Sequence, residues 1–517
     1  MGLGSNLKLQ SGFAKIPLPY GTRGFMNTGV RAGRPQVVLY AIGFFLLILN
    51  FGARFAAAQD LTFEGQSRAS LAPPVFSATP SKKSELKLNL DQQQYATDGQ
   101  TEFQRRQYTN VGIDVDLKTQ GKGLGGAFHG IYQGTLQSSE EQYYGIPEAY
   151  FGEAQSDAMG IRWTVGRQKR HWSHFDEEFG MGIWQPQLRW DYLNPIQQGL
   201  TGLFFDFAPT RSVSLSFFAS SLFLPDQGPN FHMRDGQFAS SNRWFWSPRL
   251  TAHIFNQTPP VSYSVDMPPL SDVVFQPSLG GQLRFESRST PWWGQVAYAY
   301  KPMNQLHLGY ECNKCVGLGN LGPTATIHPS VLMHRVATAE VGLQDENQRG
   351  WVSVTSDVPT SPKGPQEWAQ SSYSDVVFAG ASYAHFMSLL NRPGWLKVSY
   401  LRSFETQKTQ PQNSLLEGTV ESSLDRFPYK EIVAAEWEWV LKQTAKNQLN
   451  WRTRYTYSIP ERGSWISSQL WLRQQNWSWN LSLDILGSQV DPNSSNEGLF
   501  TRYRENDRFT GGVSYVF

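Results

Sequence analysis

The sequence predicts an all-β fold, a membrane-spanning antiparallel β-barrel of about 18 strands, with 16 to 20 as the bounds. Three observations predict it. The 517 residues have a mean hydropathy of −0.42, yet aromatics make up 14% of them, with 18 Trp. A hydrophilic average with a heavy aromatic load results when each strand turns apolar groups to lipid and polar groups to water, and aromatics gather at both membrane interfaces. Second, apolar and polar residues alternate with a period of two in many separate stretches, which neither a helix nor a strand buried on both faces produces. Third, roughly 400 residues follow the N-terminal region, a length that suits such a barrel. A secreted β-sandwich would share the alternation. A propeller would show a fixed repeat, and none is present.

The first element is a leader. Val37 to Leu49 is an apolar run, preceded by Arg31 and Arg34 and followed by Ala56-Ala57-Ala58-Gln59. A basic flank, an apolar stretch and a small-x-small site are the parts of a secretory signal peptide, here 1–58, cleaved after Ala58. Counting from Met26 gives a leader of more ordinary length than counting from Met1. A membrane anchor helix is the rival, but it needs about 20 apolar residues, and this run is shorter and soon meets Arg54. Residues 1–58 carry six basic residues and no acidic ones, so the remainder is net acidic and gives no argument for nucleic acid. Residues 59–103 begin Ser-, Ala- and Pro-rich and read as a periplasmic lead-in, too short for a plug domain. The barrel is expected over 104–517.

Within it, Val111, Ile113, Val115 and Leu117 alternate with Gly112, Asp114, Asp116 and Lys118. Val213, Leu215 and Phe217 alternate with serines, and Trp477 to Ile485 alternate with Ser478, Asn480, Ser482 and Asp484. One hairpin can be specified residue by residue. A turn centred on Ala445 sets Glu438 opposite Arg452 and Glu436 opposite Arg454 on one face, and Trp439 opposite Trp451 and Leu441 opposite Leu449 on the other. A one-residue slip would put charges into lipid, so the register is strongly specified. The polar parity gives the expected pore lining: Asp114, Asp116, Lys118, Glu436, Glu438, Arg452, Arg454 and Asp484.

The chain closes on Arg508-Phe-Thr-Gly-Gly-Val-Ser-Tyr-Val-Phe517, with Val513, Tyr515 and Phe517 on one parity. This resembles the closing strand of bacterial outer-membrane β-barrels of the porin type, whose C-terminal Phe with an aromatic two residues earlier is an assembly signature. The resemblance implies an integral outer-membrane location, contact with outer-membrane lipid, and engagement of the barrel-assembly machinery through Val513, Tyr515 and Phe517. It also implies small hydrophilic solutes as partners. Porin-type barrels often form homotrimers, although no feature of this sequence shows an oligomer interface.

The longest interruption of the strand pattern is 169–195. It follows a strand ending Gly166-Arg167-Gln168 and precedes Gly199-Leu200-Thr201-Gly202. This region is similar to one in alginate-export-like and substrate-selective porin barrels, which implies a loop folded toward the lumen. The constriction candidates are Arg167, Lys169, Arg170, His171, Asp176, Glu177 and Glu178, charges of both signs that act on passage by field and size. A solvated surface loop is the alternative. His171 and His174 lack a placed third ligand, so no metal is expected. No Gly-x-Ser-x-Gly motif is present, and an enzyme and a cofactor are not expected. Cys312 and Cys315 lack a thioredoxin-like context, and in an oxidising compartment they read as a disulfide tightening a loop. Three function classes remain: a passive or weakly selective channel, a substrate-specific or polysaccharide-export-type channel, and a non-conducting surface barrel serving as adhesin or scaffold.

Overall fold

The structure, a computed structural model, describes residues 82–517 except 100, 120–122, 154–159, 249–259, 314–323, 362–364, 366–368, 371–372, 390–391, 410–425, 445 and 492–496. The leader, its cleavage site and Cys315 lie outside the described residues.

Each alternating stretch forms a strand paired to its sequence neighbour. In chain order these are β1 (Lys82–Tyr95), β2 (Gln107–Thr119), β3 (Leu124–Thr135), β4 (Ser138–Glu153), β5 (Ile161–Gln168) and β6 (Leu200–Thr210). They continue as β7 (Val213–Ser220), β8 (Ser278–Glu286), β9 (Trp292–Pro302), β10 (Met333–Gln344), β11 (Gln348–Pro359) and β12 (Tyr373–Leu389). The last six are β13 (Arg392–Thr409), β14 (Glu431–Gln443), β15 (Asn447–Ser458), β16 (Gly463–Gln474), β17 (Trp477–Ser488) and β18 (Arg508–Val516). β18 returns to pair antiparallel with β1, so the 18-stranded sheet closes without an edge.

The barrel begins one strand earlier than the sequence reading placed it. β1 lies inside the expected lead-in, where Leu86, Leu88 and Leu90 alternate with Lys87, Asn89 and Asp91 and face outward, Leu90 being 48% exposed. It is the strand that joins β2 to β18, and without it the barrel would keep two unpaired edges.

The outer face is apolar. Aromatics band it at the short-turn end, where Trp439 meets Trp451 at 5.3 Å and Tyr515 meets Trp477 at 4.7 Å and Phe517 at 4.6 Å. Exposed Tyr132, Tyr144, Tyr300 and Tyr455 band it toward the other end. A closed barrel satisfies every ladder hydrogen bond internally, as hydrocarbon requires. With this exterior the chain is an integral β-barrel of the outer membrane.

The long connections 169–199, 221–277, 303–332 and 489–507 all lie at one end, which also carries the short turns 136–137 and 459–462. Short turns such as 211–212, 345–347 and 475–476 occupy the other. The longest connection is therefore 221–277 rather than 169–195. The β14–β15 register holds as expected from Glu436↔Arg454 to Trp439↔Trp451 and then shifts. Leu441 bulges out and Lys442 pairs with Leu449, so Leu441 does not face Leu449. The bulge absorbs one residue, and Thr444 N–H then donates to the Asn447 carbonyl at 2.8 Å.

The barrel also has an inner core, confined to the long-loop half of the wall. Phe204, Phe218, Ala299, Val336, Phe378, Leu401, Ile432, Trp465 and Leu486 point inward there and are buried.

Candidate functional site in the lumen

Residues 169–199 turn into the barrel because water offers them no place to bury their apolar groups. Trp172, Phe175, Phe179, Met181, Ile183 and Trp184 are all buried against the inner core. Trp172 stacks on Trp184 at 5.3 Å with the planes 6° apart. A short helix, α1 (His174–Phe179), is capped by Ser173 and ended by Gly180, whose φ of 58° suits glycine. Phe175 is fully buried over Gly380, where an added Cβ would lie 2.5 Å from its ring. After α1 the chain folds back on Asp176, which accepts the N–H groups of Ile183 at 2.8 Å and Trp184 at 3.0 Å. Burial pushes its carboxyl up to about 6 in spite of those two donors.

Besides the Arg170–Asp206 pair where the segment leaves β5, three ionic holds fix it, and they lie far apart on the wall. On β10, Glu340 is completely buried beneath Ser173, His174 and Phe175. It accepts Ser173 Oγ at 2.7 Å, His174 N at 3.0 Å, His174 Nδ1 at 2.9 Å and Phe175 N at 3.2 Å. Its neighbours Gln295 and Ser353 add donors at 2.7 and 3.0 Å. At the other end of α1, Glu178 pairs with Lys397 on β13 at 3.0 Å and lies 3.9 Å from Arg454 on β15. Further along, Asp191 meets Arg508 on β18 at 2.6 Å. Between β10 and β18 seven strands intervene in one direction and nine in the other, so the segment runs from one side of the lumen to nearly the opposite side. A second inward stretch lies near it. Arg243 donates to the carbonyls of Thr97, Arg105 and Glu505, and Trp244 packs on Tyr503 at 5.1 Å.

Most of the expected lining residues are drawn into ion pairs. Asp114 holds His129 at 3.0 Å, and Asp116 holds Lys118 at 3.0 Å. Glu436 is the hub of the β13–β15 wall, with Lys397 at 3.2 Å, Arg452 at 2.7 Å and Arg454 at 3.8 Å. Arg452 faces Glu438 in register, yet its guanidinium bonds diagonally to Glu436. Asp484 departs from expectation. It is buried under Arg508 at 2.9 Å and Trp465 Nε1 at 3.2 Å, and so does not line a wet wall.

The constriction candidates divide by role. Arg167 is used up on the carbonyls of Gly199 and Ile146 and on Gln198. Arg170 lies over the Phe204 ring and bonds to Asp206. His171 pairs with Glu177 at 2.9 Å. The Lys169 backbone N–H binds Glu148, and burial lowers its ammonium from the usual lysine value. Asp176 serves the fold of the segment, and Glu178 alone of the set reaches the far wall. His171 and His174 turn to different carboxylates. Among the described residues no group of three His, Cys, Asp or Glu side chains is placed to hold a metal. Cys312 falls in the strand His307–Asn313 beyond the long-loop end.

Glu340, Lys397, Asp191 and Arg508 were missed in the sequence. Glu340 and Lys397 carried a signal, since each is a charge on the polar parity of an alternating strand. Asp191, in an irregular connection, carried none.

No protein-family model and no curated protein sequence matches the chain. Among solved structures, OccAB3 of Acinetobacter baumannii is similar at 10% identity and a TM-score of 0.44, over 84% of this chain and 99% of its own. OccK5 (OpdH) of Pseudomonas aeruginosa gives 10%, 0.43, 84% and 98%. Wzi of Escherichia coli, described as a carbohydrate-binding β-barrel involved in capsule assembly, gives 11%, 0.40, 84% and 85%. At TM-scores below 0.5 these likenesses add nothing to what the barrel geometry itself shows.

Proposed function

We propose that the barrel is an outer-membrane channel for small hydrophilic solutes, passive or weakly selective, whose long-loop mouth is narrowed by residues 169–199. The observation that carries this reading is the inward segment held to both sides of a charged lumen. A non-conducting surface barrel would have its lumen closed by the same kind of inward loop and ion pairs, and the transport test below separates the two. Charge of both signs supports modest ion selectivity. Glu178, Glu436 and Glu438 stand with Lys397, Arg452 and Arg454 on one wall, and Asp114 and Asp116 with Lys118 and His129 on another. A dedicated exporter of an acidic polymer would instead show one sign dominating its narrowest point. Val513, Tyr515 and Phe517 are the residues proposed to engage the assembly machinery, all three on the outward parity of the closing strand.

The test is solute uptake into proteoliposomes containing the refolded chain from Gln59, with neutral sugars of graded size. Entry of small sugars with a sharp cut-off is expected. Exclusion of every solute by a folded, heat-modifiable barrel would leave the non-conducting surface barrel.

A further inference from the structure

We propose that Glu340 is the positioning residue that sets the bore of this channel, an inference that rests on the channel reading above. A carboxylate taken wholly out of water is costly unless donors surround it. Glu340 has six, three on each oxygen. Only two of them, from Gln295 and Ser353, belong to the wall. The other four come from Ser173, His174 and Phe175, so the carboxylate is held by directional protein donors only while the segment is seated and would pass to lumen water without it.

The remaining holds differ in this respect. If the segment leaves, Lys397 keeps Glu436 at 3.2 Å and Arg508 keeps Asp484 at 2.9 Å. Each wall cation on those two sites has a second carboxylate to fall back on, whereas Glu340 keeps only Gln295 and Ser353 of its protein donors and would take the rest from lumen water. The apolar contacts of Phe175 and Trp184 favour burial but tolerate sliding, because they are non-directional. Directional hydrogen bonds from three consecutive residues are what fix depth and angle. The same three residues begin α1, so fixing them fixes the part of the segment that leads across the lumen toward Arg508.

The experiment compares wild type, Glu340→Gln and Glu340→Ala in planar bilayers, each first shown to be a heat-modifiable folded barrel. Glu340→Ala is expected to raise single-channel conductance several-fold and to admit neutral polymers that wild type excludes. Glu340→Gln is expected to fall between, since its amide keeps one acceptor oxygen and sets an NH2 against the remaining donors. A general loosening of the barrel is separated by a reversible link. Ser173→Cys with Glu340→Cys, in a chain with Cys312→Ser and Cys315→Ser, is joined by a short cleavable bifunctional thiol reagent. Linking should restore the narrow bore and cleavage should widen it again, which a misfolded wall would not do. Wild-type conductance and cut-off in Glu340→Ala, or no change on cleavage, would overturn the role of Glu340. Silence in wild type with steps in Glu340→Ala would support that role and overturn the open-channel reading. Silence in both would overturn the two together.

Discussion

The β14–β15 hairpin and the 169–199 segment are both rich in charge and in tryptophan, yet they are held in opposite ways. In the hairpin the cross-strand partners lie one turn apart, as Glu436 and Arg454 or Trp439 and Trp451 do, although Glu436 also pairs with Lys397 on the neighbouring β13. Each such pair contributes roughly 0.2–1 kcal/mol, and the sum is a register rather than a fold. In the segment the partners are remote. Ser173 reaches Glu340, Trp184 Nε1 donates to Thr338, and Asp191 reaches Arg508. These contacts exist only after the barrel has closed. The wall therefore specifies itself locally, and the segment borrows its structure from a finished wall.

That contrast can be broken or sharpened by substitution. The largest effect is expected from Phe175→Ala, which removes a fully buried ring and should cost the seated segment about 3–5 kcal/mol. Proteolysis within 169–199 should become rapid while heat-modifiability of the wall stays unchanged. Loss of the folded barrel would mean that segment and wall are one unit. Next is Gly380→Val, a change in the wall alone, since even a Cβ at that position meets Phe175 at 2.5 Å. Overpacking of this kind costs about 1–3 kcal/mol and should expose the segment in the same proteolysis assay.

Asp176 sets a pH dependence with a defined sign. Burial raises its carboxyl to about 6 in the folded segment from the ordinary aspartate value of 3.8, so the seated state holds more protons than the released one between those values. Seating should be firmest below the lower value and weaken as pH rises through about 6. Protease sensitivity of the segment followed from pH 4 to 7 should rise accordingly, and Asp176→Asn should remove this contribution to the slope.

A smaller effect is expected at the far wall. Glu178→Gln removes one negative charge from the site of Lys397 and Arg454, and the reversal potential in asymmetric salt should move toward anion preference. Trp439→Ala is the smallest. One cross-strand pair on the outer face is lost, about 0.2–1 kcal/mol, with conductance unaltered.

How much could be read in advance follows the same division. Closure by an antiparallel meander, the outward parity of Trp479 and Tyr515, and the Glu438–Arg452 register were legible because period two is a property of neighbouring residues. β1 was misplaced because the Pro-rich composition before it obscured a clear Leu86-x-Leu88-x-Leu90 alternation. The bulge at Leu441 answers to turn closure, which the alternation alone does not encode. In the candidate site, Glu178 was legible as a charge in an inward loop, but its partner Lys397 is more than two hundred residues away. Asp484 looked like a wet lining residue, since nothing in its own strand announces Arg508 and Trp465 closing over it. Glu340 could have been flagged as a charge on an inward parity, though its six donors come together only in three dimensions.

The central claim, that 169–199 narrows the lumen, is tested most directly by excising it. Gln168 and Leu200 are paired across β5 and β6, so a four-residue Gly-Ser linker replacing 169–199 should close an ordinary hairpin and leave the wall intact. Single-channel conductance of this chain, measured beside the full one in the same bilayer, is expected to rise several-fold. Equal conductance from two folded barrels would contradict the account.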